Sequence, residues 1–401
     1  MKKKVLFQIN SSCNRGSTGR IAELIGRKAK EIGLECYIAY GRHFLPTELH
    51  PIKIGNTFYN GVHMAASRIM DNHGLLSIEP TKQLVSEMKA IKPDIVHLHN
   101  IHGYYINYKI LFEYLIEANM PVVWTLHDCW PFTGHCCHFE FVGCDRWKTG
   151  CYKCPGLSVY PKSHLMDKSR RNYALKKELF TGIIERLTIV PVSEWLEGLV
   201  KKSFLKDANI ETIHNGVDTT VFRVMEERSP KLPEGKKIVL AVASVWDSKK
   251  GYDDLSKISK KLPEDYQMVV VGLSAKQVKA LPPSIIGIER TDSVDQLASI
   301  YSTADVYINP TYEDNFPTTN LEALACGTPV ITYSTGGSAE AINAETGASV
   351  KQGDIEGLCE AIKKFSSIDR SKIKILCRKR VLDNFEMNNC YSKYIDLYES
   401  L

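Results

Sequence analysis

No apolar run in this chain approaches the roughly 20 residues needed to cross a bilayer, and the N-terminal Met-Lys-Lys-Lys-Val-Leu-Phe-Gln-Ile-Asn holds only a short, glutamine-interrupted apolar run. That opening reads as a first strand, too short for a signal-peptide core. A cytoplasmic chain is therefore expected, in which the twelve cysteines are thiols or metal ligands and not disulfides. Dense Lys/Arg tracts interleaved with aromatics are absent, so nucleic acid is not an expected partner. The surplus charge of +5 instead suits anionic substrates or an anionic membrane face. Neither Gly-x-Gly-x-x-Gly nor a Walker lysine occurs, which argues against a dinucleotide oxidoreductase and an NTPase. Asp-x-Asp is missing too, and with it the usual acidic pair for a metal-bridged diphosphate.

What is present is length and an ordinary balance: 401 residues, 44% apolar and 24% charged, enough for two domains of comparable size. Strand patterns at 4–10, 35–40, 94–99, 122–127 and 187–193, then at 237–244, 267–272, 285–289, 305–309 and 329–333, alternate with helical ones. Such alternation predicts α/β architecture with parallel sheets covered on both faces. The first domain spans 1–218, a Pro- and Gly-bearing linker 219–236, and the second domain 237–386, followed by a terminal helix over 387–401.

The most informative stretch is 309–327, Asn-Pro-Thr-Tyr-Glu-Asp-Asn-Phe-Pro-Thr-Thr-Asn-Leu-Glu-Ala-Leu-Ala-Cys-Gly. It predicts a strand, a loop and a helix opening at Pro317. The N–H groups of Phe316, Thr318 and Thr319 then point out of a helix N-terminus, where the dipole favours a phosphate. Asp314 in the loop and Glu322 in the helix add two acceptors suited to sugar hydroxyls. Upstream, the Lys249-Lys250-Gly251 turn supplies cations, and Gly336-Gly337 begins a further helix and backbone nest. In the first domain the turn Cys13–Gly19 precedes a helix over 20–32, with Gly16 and Gly19 allowing close backbone approach. His99, His102 and His127 fall at carboxyl ends of strands, where functional groups gather in parallel sheets. For His97, His99 and His102 hydrogen bonding within loops is the expected role. A helix over 163–186 with Lys168, Arg170, Arg171, Lys176 and Lys177 spread around it reads as solvated, with a membrane-surface helix as the alternative.

Six of the twelve cysteines lie between Cys129 and Cys154. Cys137-x6-Cys144-x6-Cys151-x2-Cys154 has ligand-like spacing for a tetrahedral structural zinc stapling an insertion over 129–160, with His135 and His138 as alternative ligands. Free thiols under a loop, or disulfides outside a reducing cytoplasm, are the competing readings.

The spacing Asp314-x7-Glu322, followed by Ala323-Leu-Ala-Cys-Gly-Thr-Pro-Val330 and Gly336-Gly337-x2-Glu340, resembles the donor-site signature of retaining family-4 glycosyltransferases of the bacterial surface-polysaccharide type. Asp314 stands where that family usually has Glu, and Val245 where it has the arginine that precedes Lys250. The resemblance implies a GT-B fold: two Rossmann-like parallel-sheet domains facing across a cleft, with the last helix returning to the first. It implies transfer of a hexose from a UDP- or GDP-linked sugar to a glycan or lipid-linked glycan, with retention and no catalytic cofactor. Glu322 would bind the ribose, Asp314 a sugar hydroxyl, Lys250 with Lys249 the diphosphate, and His127 the reacting face of the sugar; Gly16 and Gly19 would face the cleft. Peripheral attachment at the inner membrane face fits such acceptors. A nucleotide-sugar epimerase on the same architecture, or a non-catalytic metal- or partner-binding protein, are the rival readings.

Overall fold

A computed structural model describes residues 3–401. The chain divides into two compact units, residues 1–213 with 391–401, and residues 214–390. The expected boundaries lay at 218 and 387. The segment expected as a linker is packed on the second unit, where Met225 and Ser229 N–H donate to Ser302 Oγ and Thr303 Oγ1, and Arg378 reaches the carbonyls of Thr219 and Phe222.

In the first unit the strands are β1 Val5–Asn10, β2 Glu35–Tyr40, β3 His50–Lys53, β4 Ile95–Leu98, β5 Val122–Leu126, β6 Leu187–Pro191 and β7 Asn209–Ile210. They form one sheet in the order β3-β2-β1-β4-β5-β6-β7, every pair parallel. The central strands β1, β4, β5 and β6 are buried along their whole length, as a sheet covered on both faces requires. Residues 391–401 belong to this unit. There Tyr398 Oη meets His97 Nδ1 at 2.5 Å and Tyr394 Oη meets Thr125 Oγ1 at 3.0 Å.

The second unit holds β8 Lys237–Val242, β9 Tyr266–Val271, β10 Ile285–Ile288, β11 Val306–Asn309, β12 Val330–Tyr333 and β13 Gly347–Val350, in the order β10-β9-β8-β11-β12-β13, again all parallel. In each sheet the order reverses between two neighbours, β1 and β4 in the first, β8 and β11 in the second. Ligands of doubly wound sheets bind beyond the carboxyl ends of such a pair, because the two following loops diverge there.

Three local expectations are corrected. The first helix runs Gly16–Glu31 and not from 20, so Gly16 and Gly19 lie in its first turn. Gly336-Gly337 leads into a single 3-10 turn, Ser338–Ala341, and no longer helix. The helix expected over 163–186 is confined to Ser169–Thr181, and its Lys176 is not solvated. That side chain is 1% exposed, donating to the carbonyls of Trp130 at 2.7 Å and Thr133 at 3.0 Å, with its ammonium 3.4 Å from the centre of the Trp130 ring. Burial pulls its pKa down to about 7 against the opposing pull of nearby thiols and Asp128.

Candidate functional site

The loops after β8 and β11 carry the site of the second unit. After β8, Trp246 is buried and its indole N–H donates to Val271 O at 2.8 Å, which fixes the start of the turn. Asp247 then caps the 3-10 turn Ser248–Lys250 by accepting the Lys250 N–H at 3.0 Å. Gly251 follows with φ +76°, where a Cβ would stand 2.1 Å from Pro310 O. No other residue lets the two loops approach so closely. Tyr312 N–H donates to Lys249 O at 2.7 Å, completing the contact.

This approach brings the predicted cations and carboxylates together. Lys250 Nζ lies 2.6 Å from Asp314 Oδ2 and 3.2 Å from Glu313 O. Lys249 Nζ lies 2.5 Å from Glu313 Oε2. Glu313 was not singled out in the sequence; its side chain is 4% exposed, so it binds Lys249 in the body of the loop. Lys249, expected beside Lys250 at the diphosphate, is thus already paired with Glu313, while Val245, where the family has an arginine, is exposed.

The loop 310–317 is itself pinned from β12. Gly336 adopts φ +52°, where a Cβ would stand 1.7 Å from Asp314 O, and Gly337 N–H donates to Asn315 O at 3.0 Å. The helix Thr318–Ala325 starts after Pro317 with no side-chain cap, so its first-turn N–H groups are directed outward as an anion site requires. Thr318 and Thr319 occupy that turn. Phe316 is 4% exposed, its ring 4.8 Å from that of His214 and 5.7 Å from that of Phe385; its side chain anchors the helix entry. Glu322, one turn further, accepts the Tyr301 hydroxyl at 3.2 Å through Oε2 and is partly exposed.

In the first unit, His127 follows β5 and joins a file of imidazoles. Its Nε2 is 3.3 Å from His99 Nδ1, and His99 Nε2 is 3.0 Å from Gln8 Oε1. Gln8 Nε2 donates to Ala22 O, so Oε1 accepts and His99 carries its proton on Nε2. His99 Nδ1 is then an acceptor and His127 a donor through Nε2, which leaves His127 Nδ1 as the basic nitrogen of the neutral ring. Burial, aided by the nearby His102, pulls the His127 pKa down to about 4 against the pull of Asp128. His102 Nε2 lies 2.7 Å from Asp128 Oδ2, and Asp128 Oδ1 accepts the Trp130 N–H at 2.9 Å. Burial alone would raise the Asp128 carboxyl; His102 outweighs it and holds the group at about 2. His97, His99 and His102 are hydrogen-bonded as expected, but the first two not within loops: His97 lies in β4 and meets Tyr398 and Thr125, and His99 reaches Gln8 of β1. Gly16 has φ +72°, and a Cβ at Gly19 would stand 3.1 Å from Ser12 O, so Gly19 serves the close packing of helix on loop.

The expected zinc set does not assemble as spaced. The ligand atoms of Cys137, His102 and Asp128 lie within 4.8 Å of one another, and Cys137 is fully buried beside Asp128. Its thiol therefore faces the β5 end and not Cys144, Cys151 and Cys154.

Two Rossmann-like parallel sheets, the second with a Lys–Asp pair and an uncapped helix at its switch point, define the GT-B class. The pattern described as "Glycosyl transferases group 1" matches residues 236–367, and that described as "Glycosyltransferase Family 4" matches residues 57–221. The chain belongs to the family-4 glycosyltransferases. It is 26% identical over 376 residues to a putative colanic acid biosynthesis glycosyl transferase, WcaC, of Escherichia coli K12, covering 89% of this chain and 90% of that one. Among solved structures it is similar to the sucrose-phosphate synthase of Thermosynechococcus elongatus, with TM-score 0.71, 18% identity and 99% coverage of both chains. It is also similar to Anabaena HepE in complex with UDP and glucose, with TM-score 0.67, 14% identity and full coverage of both.

Proposed function

We propose that this protein transfers a hexose from a UDP- or GDP-linked sugar to a glycan or lipid-linked glycan, with retention of configuration, in the assembly of a bacterial surface polysaccharide. The observation that carries this reading is the Lys250–Asp314 pair beside the uncapped helix Thr318–Ala325 at the second sheet's switch point. One cation and several outward N–H groups suit a diphosphate, and two carboxylates at different depths suit sugar and ribose hydroxyls. Phosphate stabilisation by Lys250 and the helix end is an electrostatic role that needs no metal. Asp314 binds the donor sugar, Glu322 the ribose, and Phe316, Thr318 and Thr319 lend backbone N–H groups. His127 serves the reacting sugar through its neutral ring. WcaC, by its name a colanic acid enzyme, supports the polysaccharide setting, and HepE with UDP and glucose favours a uridine donor.

A cytoplasmic enzyme bound peripherally to the inner membrane face fits the same reading. Phe58, Val62 and Ile69 on the helix Thr57–Met70 are 74%, 51% and 48% exposed, and Leu165 and Met166 are 77% and 47% exposed. His164 N–H donates to Arg68 O, which holds the second group against the first. Exposed apolar side chains beside Arg68 and Lys162 suit an anionic bilayer.

A panel of nucleotide sugars, scored by thermal-shift stabilisation and by transfer to lipid-linked glycans with and without brief EDTA treatment, tests the proposal. Stabilisation by one donor and EDTA-resistant transfer with an α-linked product from an α-linked donor are expected. Release of an epimer without acceptor would move the protein to the epimerase reading, and rescue of an EDTA-killed enzyme by magnesium or manganese would end metal independence.

A further inference from the structure

The cysteine-rich segment after Asp128 plays no part in the proposed transfer. We propose that Cys136, Cys144, Cys151 and Cys154 form a structural zinc site, with Cys136 taking the place that spacing alone assigned to its neighbour Cys137. The two adjacent cysteines serve different surroundings. Cys137 belongs to the His102–Asp128 group at the end of β5, whereas the Cys136 thiol is hydrogen-bonded to Cys154.

Those four cysteines line one small cleft, whose walls are completed by His135, Phe139, Arg146, Trp147, Tyr152 and Pro155. Its volume is about 10 Å³, room for a single atom and not for an organic ligand. Cys151 lies within electrostatic reach of both Cys154 and Cys144, so the four form one cluster.

Two backbone N–H groups are aimed at sulfurs of the cluster. Gly134 N–H donates to Cys151 Sγ at 3.1 Å, and Gly156 N–H donates to Cys154. Each bond presents the partial positive hydrogen of an N–H to the sulfur, which offsets part of the cost of the ionised form that a metal binds. Gly134 is required for the approach, since a Cβ there would stand 2.7 Å from Cys151 Cβ and 2.1 Å from Ser169 O. Three of the four cysteines directly follow a residue with positive φ: Gly143 at +60°, Gly150 at +149° and Lys153 at +44°. For Lys153 that conformation carries a cost that a non-glycine residue bears only where the surroundings impose it.

The triad of His102, Asp128 and Cys137 is the weaker metal candidate although its atoms lie closer together. Asp128 already meets His102 Nε2 at 2.7 Å and accepts the Trp130 N–H at 2.9 Å, bonds that a metal there would have to replace. In the four-cysteine cluster no three sulfurs all lie within 4.8 Å of one another, against about 3.8 Å for a tetrahedron with Zn–S near 2.3 Å. Binding therefore draws the loops inward around the cleft and releases the thiol protons to solvent. The benefit is to a segment that between Thr133 and Ser169 holds only one 3-10 turn, Arg146–Lys148, and a small cluster of Phe132, Phe139 and Trp147.

The full chain purified without chelator is the material for the test. About one zinc per chain by elemental analysis is expected, lost in Cys136→Ser and Cys151→Ser and kept in Cys137→Ser. Replacement by cobalt should give the absorption bands of a tetrahedral four-thiolate site. In the wild type, strong chelation should expose four slowly reacting thiols, a readout that holds even where a serine variant fails to fold. Metal-free protein with these thiols reactive from the start overturns the site. So does a Cys136–Cys154 disulfide found by mass spectrometry without reduction, or zinc lost in Cys137→Ser but retained in Cys136→Ser.

Discussion

Lys250 Nζ lies 2.6 Å from Asp314 Oδ2, so the cation proposed to meet the donor diphosphate and the carboxylate proposed to meet the donor sugar neutralise each other across two loops. Both side chains are partly exposed, 35% and 23%, and a pair of that kind adds only about 0–1 kcal/mol to stability. Its importance lies in positioning: each partner holds the other at the switch point of the second sheet. Lys250→Ala should therefore leave the melting temperature within a few degrees of wild type and lower kcat by about 10²–10³-fold, the usual loss on removing one charge-stabilising group. Steady-state kinetics beside a thermal melt separate the two effects, and an unchanged kcat would take Lys250 out of the chemistry.

Glu322→Gln removes charge but little volume, and Gln can still accept the Tyr301 hydroxyl that Glu322 accepts now. The fold should persist while donor binding weakens by about 1.5–3 kcal/mol, the worth of a hydrogen bond to a charged group. Calorimetry with the stabilising nucleotide sugar reads this directly. Equal affinity in variant and wild type would assign the ribose contact elsewhere.

Most central strands were legible because a sheet covered on both faces needs largely apolar runs, and β5, β8 and β9 are such runs, while β1 is one broken only by Gln8 before Asn10. The strands the sequence did not reveal are edges. β3 is largely exposed and contains Pro51, β7 has two residues, and β13 is the small-residue run Gly-Ala-Ser-Val. Lys250 and Asp314 were each singled out in the sequence, and the fold adds that they meet across two loops. The burial of Lys176 was not legible, because a lysine that donates to two carbonyls from a distant loop has the same local pattern as a solvated one. Cys136 and Cys137 are adjacent, and only the fold tells which thiol turns toward Asp128.

The His99–His127 contact gives a test of tautomer control. His99→Phe keeps a ring but removes the acceptor for His127 Nε2–H, 3.3 Å away, and frees the proton to move to Nδ1. A fall in kcat of about 10-fold is expected, matching the roughly 1.4 kcal/mol of one hydrogen bond, with donor affinity unchanged. His99→Gln, which can supply an amide oxygen, should recover part of it. Nitrogen chemical shifts of the His127 ring would report the tautomer independently of turnover.

The same histidines predict how the protein responds to acid. Burial is the leading cause that lowers His63 and His127 to about 4 and His97 to about 3, and it lowers His73 and His99 well below the ordinary value. In the unfolded chain each titrates near 6.5. Between pH 6.5 and about 4 the unfolded state therefore binds protons that the folded state does not, so stability is fully present above 6.5 and is lost as pH falls through that window. Each group contributes a slope of at most about 1.4 kcal/mol per pH unit. Acting together, the five amount to several kcal/mol by pH 5, comparable with the roughly 5–15 kcal/mol of a typical fold. All five lie in the first unit, while the second unit contains one histidine, His214. Melting curves at pH 7.5 and 5.5 should accordingly show a large downward shift, with limited proteolysis opening residues 1–213 before 214–390. His63→Asn should flatten the slope between those pH values, even if it costs some stability at pH 7.5. A melting temperature that is level from pH 7.5 to 5.5 would mean these imidazoles take up protons in the folded state.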